Sequence, residues 1–146
     1  MALFRITRRS ELPAAEAWQR MTDWERHAGP VPFTAIRLVG PAAAGVGTRF
    51  TARTAIGPVG FDDPMEVTSW QSPQAGHPGL CRLEKRGTVV TGWAEIEVRP
   101  HREGSVVQWR EDLRVAALPR ALDPLTAHCG RLLFGRVMRR LLDADG

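Results

Sequence analysis

Apolar and polar residues alternate from the start of the chain. In ALFRITRR, Phe4 and Ile6 fall on one side of an extended backbone, the pattern of a strand with one buried face. The period then lengthens. Leu12, Ala15, Trp18 and Met21 recur at helical spacing and predict a helix over roughly Glu11–Met21, with Ser10 as cap and Pro13 in the first turn. Thr22 or Asp23 can cap a second short helix through Trp24–His27, which Gly29-Pro30 terminates. From Val31 to Val115 the pattern favours strands: 33–39, 47–56, 59–70, 80–86, 89–98 and 105–115. Turn signals separate them at Gly40-Pro41, Ile56-Gly57-Pro58, Pro73 to Pro78, Arg86-Gly87-Thr88 and Glu103-Gly104, and the short connections predict successive antiparallel hairpins. A long helix closes the chain, with Asp123 at its N-cap, Pro124 in first position and an end near Leu142. Its apolar arc reads as Leu122, Leu125, Cys129, Leu133, Val137 and Leu141, and the one-sided sheet is the only surface that could bury it.

This order of elements resembles the helix-grip fold of the START-like (SRPBCC) superfamily, which includes polyketide cyclase/dehydrase and lipid-transport proteins. TDWERHAGPVP after the first helices, FDDPMEVTSWQSP in a middle strand and GSVVQWREDLRV before the last helix carry the local likeness. It covers nearly the whole chain. The resemblance implies an α+β fold in a single domain over residues 1–146: a curved antiparallel sheet of about seven strands around the C-terminal helix, with two short helices after the first strand. It also implies a ligand cavity between sheet and helix. Since that superfamily hosts binders, transporters and enzymes, the expected function is binding of a small hydrophobic ligand, lipid-like or aromatic and polyketide-like. A cyclase or dehydratase on the same scaffold is the alternative. No cofactor is expected.

Strand parity nominates the residues facing such a cavity. In the last strand Val107, Trp109, Leu113 and Val115 share a face with Glu111, while Gln108, Arg110, Asp112 and Arg114 share the other. A carboxylate among apolar neighbours must be paired, solvated or raised in pKa. Glu111 is therefore either bridged to an arginine at the rim or a cavity acid. Phe61, Asp63, Met65 and Val67 share a face of FDDPMEV, but Pro64 predicts a bulge or an edge and leaves the parity before it open. Asp63 is a cavity candidate or a bulge-stabilising residue. Phe50, Ala52, Thr54 and Ile56 point inward, as do Cys81 and Leu83. Inward parity for Val90, Gly92, Ala94, Ile96 and Val98 sends Trp93 outward, in need of cover.

His27 has two readings. In the last turn of a short helix a cationic imidazole is favoured by the dipole and can cap free carbonyls. At the mouth of the implied cavity it could instead cover a ligand together with Trp24. Proton transfer needs a positioned donor or acceptor, and Glu111, Asp63 and His27 are the candidate catalytic residues. Trp24, Phe50, Met65, Trp109, Cys129 and Leu133 are the candidate ligand-binding residues.

Composition narrows the alternatives. The net charge is +4, and nineteen of the twenty basic residues are arginines, interleaved with sixteen acids. No basic stripe forms, so nucleic-acid binding is not expected, and Arg136, Arg139 and Arg140 read as a solvated helix end. A regulatory protein-interaction module using that basic end is a third reading. His77 lies in a loop, His101 at a hairpin and His128 on the polar side of the last helix, with no spacing that suits a metal. GPAAAGVG lacks the Lys-Ser/Thr of a phosphate cradle and reads as a hairpin connection. Cys81 and Cys129 read as two small buried apolar residues without a disulfide. No apolar run approaches the ~18 residues of a membrane span, so membrane insertion is not expected. No signal peptide is visible, which makes the cytoplasm the default location. The oligomeric state is left open.

Overall fold

The computed structural model describes residues 2–28, 34–39 and 45–143. Strand β1 (Leu3–Ser10) leads into helix α1 (Ala14–Met21) and a 3₁₀ helix (Trp24–Ala28). Six strands follow: β2 (Thr34–Val39), β3 (Arg49–Ile56), β4 (Val59–Gln71), β5 (Gly79–Lys85), β6 (Val90–His101) and β7 (Gly104–Val115). A 3₁₀ turn (Arg120–Leu122) then enters helix α2 (Asp123–Asp143). The Gly29-Pro30 stop, Phe33 and the Gly40-Pro41 turn lie outside the described residues.

All seven strands form one antiparallel, curved sheet in the order β1-β7-β6-β5-β4-β3-β2, the helix-grip arrangement. Successive strands pair as hairpins, as short turns require. The first strand is the exception. It pairs with β7, while β2 lies at the opposite edge, so the segment between them must cross the full width of the sheet. Helix α1 and the 3₁₀ helix make that crossing, touching β6 and β7 at one end and β2 at the other. This crossing brings Trp24 and His27 over the sheet.

Helix α1 starts three residues later than the sequence pattern suggests. Ser10 is held in the β1 ladder opposite Ser105, and its hydroxyl accepts the Leu12 N–H, making a turn rather than a helix cap. The bulge expected at Pro64 falls instead between Val67 and Ser69. Pro64 is tolerated because the β4–β5 ladder begins only at Met65–Lys85: its carbonyl accepts the Arg86 N–H, but no ladder bond depends on the N–H it lacks. Parity therefore runs unbroken from Phe61 to Val67. The later bulge turns Trp70 inward, edge-to-face with Trp18 at 5.0 Å.

Helix α2 corrects the expected apolar arc. Leu125, Cys129, Leu133, Val137 and Leu141 are spaced by strict fours, and at 3.6 residues per turn such a row drifts about 40° per step. It starts buried at Leu141 and Val137, is half-buried at Leu133, and has turned to solvent by Cys129 and Leu125. Cys129 is thus exposed, not buried and not on the sheet-facing arc. The arc that faces the sheet carries Gly130, Phe134, Val137, Met138 and Leu141. At Gly130 the Phe4 ring fills the place of a side chain: a Cβ there would stand 2.6 Å from Phe4 Cε1. For Gly130→Ala the helix-propensity gain of about 1 kcal/mol opposes an overpacking penalty of about 1–3 kcal/mol. A net loss near 1 kcal/mol is expected in urea denaturation, and a stabilised variant would contradict this packing.

The outer face of the sheet explains Trp93. The Arg82 guanidinium lies 4.6 Å over its ring and also pairs with Glu84 and Glu95, while Arg110 pairs with Glu95. An ion-paired arginine plane supplies the cover that the indole needs. Arg136, Arg139 and Arg140 are exposed. Among the described residues no helix is long and apolar enough to cross a membrane.

Candidate functional site

A cavity of about 220 Å³ lies between the concave face of the sheet, the 3₁₀ helix and α2. Its walls are mostly apolar, with two stacked aromatic pairs among them. Trp24 stacks on Phe50 at 4.9 Å, and Trp109 stacks on Phe134 at 5.0 Å. The rings come from four elements that the chain crossing and the C-terminal helix bring together. Met65, Leu83 and Leu133 line the space between them. Phe61, 40% exposed, lies at the outer end. Ile56, expected inward, is exposed because the β3–β4 hairpin extends past the end of β5.

Four titratable side chains also line the cavity: His27, Asp63, Lys85 and Glu111. Lys85 Nζ donates to Asp63 Oδ2 at 2.7 Å, with the two side chains only 3% and 13% exposed. The Trp109 indole N–H donates to Glu111 Oε1 at 3.2 Å. Both residues belong to β7, two apart on the same face, so strand geometry alone aligns them. Asp63 Oδ1 and Glu111 Oε2 are buried without a hydrogen-bond partner. Such groups are rare in folded proteins and ask for an explanation.

Charge sets the protonation states. Burial pushes the Glu111 carboxyl above the usual carboxylate range, with Lys85 opposing, and it raises Asp63 in the same way. Burial alone would lower Lys85, but the charges of Glu111 and Asp63 outweigh it, so the lysine stands above its ordinary value and stays cationic. The cation that acts on Glu111 is therefore Lys85, which is ion-paired to Asp63, and not an arginine at the rim.

His27 answers both of its readings. Its Nε2 lies 2.8 Å from the Met21 carbonyl oxygen at the end of α1. A carbonyl only accepts, so Nε2 carries the proton and Nδ1 is the ring's acceptor. The ring also packs against Trp109 at 5.6 Å and faces the cavity. It caps the helix, but not as a cation: burial lowers its pKa to about 4.

The nominated residues thus separate. Glu111, Asp63, His27, Trp24, Phe50, Met65, Trp109 and Leu133 line one space, and Cys129 does not. Lys85 and Phe134 were missed. Lys85 shares parity with Cys81 and Leu83, and it is the one lysine in a chain of nineteen arginines. A lysine at a strand end is ordinarily solvated, so parity alone gave no reason to follow it inward.

The architecture is the Bet v 1-like, helix-grip fold. Solved structures that share it include TTHA0849 from Thermus thermophilus, with 16% identity, coverage of 99% of both chains and a TM-score of 0.72. Norcoclaurine synthase from Thalictrum flavum, solved in complex with dopamine and hydroxybenzaldehyde, matches at 14% identity over 99% of this chain and 88% of its own, with a TM-score of 0.65. Ara h 8.0201 matches at 12% identity over 97% and 98%, with a TM-score of 0.62. At these identities the likeness is one of fold. No family model and no curated protein matches the sequence.

Proposed function

We propose that this protein binds a small, ring-bearing, mainly apolar molecule in the cavity between the sheet and α2. The observation that carries the reading is the cavity's construction. Two stacked aromatic pairs and apolar side chains enclose about 220 Å³, and Asp63 and Glu111, each with a buried oxygen lacking a partner, are among the residues that line it. A dry apolar cavity of about 150 Å³ already admits benzene, so a one- or two-ring body fits here. Pockets of this kind are apolar with a few convergent polar groups. The norcoclaurine synthase complex supports the reading, since the same fold there holds ring-bearing small molecules.

The test is Leu133→Trp, which places an indole in the space from the half-buried flank of α2. Binding of the neutral, two-ring fluorescent probe 1-methylnaphthalene is expected to fall at least about tenfold, while circular dichroism shows the fold retained. Unchanged probe binding would overturn the proposal.

An acid/base enzyme of cyclase or dehydratase type is the second reading. It is supported by four titratable groups facing one space, among them a carboxyl raised in pKa. Glu111→Gln separates the two. A pure binder keeps its affinity for the neutral probe and has no turnover to lose, whereas an enzyme loses turnover by roughly 10²–10⁴ while still binding.

A further inference from the structure

Resting on the reading of the cavity as a ligand site, the arrangement of its polar end narrows the chemistry of the ligand. Two carboxyls, Asp63 and Glu111, face one cation, Lys85. Fully ionised, the cluster would carry one uncompensated negative charge inside an aromatic shell, where an unpaired charge is expensive. His27 on the 3₁₀ helix does not supply the missing positive charge, since it is neutral above about pH 4. From β1 and α2 the cluster meets Phe4 and Phe134, and from β6 the alanine Ala94, none of which titrates. Asp112, next to Glu111 along β7, adds only further negative charge. Burial raises the hold of both carboxyls on a proton, which eases this imbalance in the empty protein.

Hydrogen bonding has the same deficit as charge. Asp63 spends Oδ2 on Lys85 and Glu111 spends Oε1 on the Trp109 indole, leaving Oδ1 and Oε2 with nothing to accept from. A group that fits must bring donors and a positive charge together. An alkylammonium has three N–H donors, no acceptor and one unit of charge. A hydroxyl brings one donor and no charge, and a carboxylate brings acceptors to a place already rich in them.

We infer that the cavity is selective for a cationic amine on an apolar ring body, its ammonium donating to Asp63 Oδ1 and Glu111 Oε2 and replacing the proton on Glu111. The proton goes to solvent, so binding an amine releases one proton where binding a neutral analogue releases none. The aromatic walls add cation–π attraction.

Calorimetric titration of the whole protein with 1-naphthylmethylamine, 1-naphthylmethanol and 1-naphthoate tests this, with 1-methylnaphthalene as the neutral control. The amine is expected to bind at least about tenfold tighter than the alcohol, and the carboxylate weakest. Amine affinity should rise with pH until the raised carboxyl has lost its proton in the empty protein, and heats in buffers of different ionisation enthalpy should report proton release on binding. Glu111→Gln should abolish both the amine preference and the proton release. Asp63→Asn serves as a second variant, expected to weaken the amine selectively. An alcohol binding wild type as tightly as the amine, with the control probe also bound, would overturn the amine assignment and leave the cavity reading standing. Failure of all four compounds to bind would overturn both.

Discussion

Lys85→Met is expected to destabilise the protein by about 3–5 kcal/mol near neutral pH, because it leaves two buried carboxyls without their cation. Lys85 is almost wholly enclosed, and no other basic side chain lines the cavity among the described residues except the neutral His27. The loss has a pH signature. Asp63 and Glu111 already bind protons more tightly folded than unfolded, and removing the lysine raises both further. A raised carboxyl favours the folded state below its unfolded pKa, and that contribution is lost as pH rises through the folded value. The variant should therefore be markedly less impaired at pH 5 than at pH 8. Urea denaturation at both values reads this directly. Equal losses at the two pH values would mean that Lys85 contributes by packing and not by charge.

His27 should make the protein acid-sensitive by up to about 3 kcal/mol. The unfolded imidazole takes a proton near pH 6.5, but the folded one does so only near 4, a gap of about two and a half units at 1.36 kcal/mol each. Its contribution is intact above pH 6.5 and is lost progressively as pH falls toward 4, levelling below. Asp63 and Glu111 act in the opposite direction, so the total stability curve conceals the effect. The difference between wild type and His27→Gln isolates it, since glutamine can still donate to the Met21 carbonyl but does not titrate. Wild type should lose about 3 kcal/mol relative to this variant between pH 7 and pH 4. Parallel curves would show that the imidazole is solvated.

Much of the sheet was legible because strand parity is local. Once a run such as Val107 to Val115 is extended, the face on which Glu111 lies follows from covalent geometry. Counting back from Val67 placed Asp63 on the inward face as well, even across a proline, because the N–H that Pro64 lacks falls just before the β4–β5 ladder begins. Helix α2 was harder. A row of apolar residues four apart looks continuous in sequence but winds around a helix, and Gly130, with no side chain, carries no hydrophobic signal although it is buried against Phe4.

What the sequence determined by itself was the order of elements, the antiparallel sheet, the closing helix and which strand residues face inward. Each depends on interactions between near neighbours or on alternation along one strand. The tertiary structure alone decided the site's chemistry. Lys85 meets Asp63 across the β4–β5 ladder and feels Glu111 from β7, His27 reaches Trp109 by way of the crossing segment, and Phe134 arrives from the far end of the chain. None of these partners is adjacent in sequence. Whether a buried carboxyl is paired, protonated or left with an open oxygen depends on which distant cation the fold delivers, and local pattern holds no record of that distance.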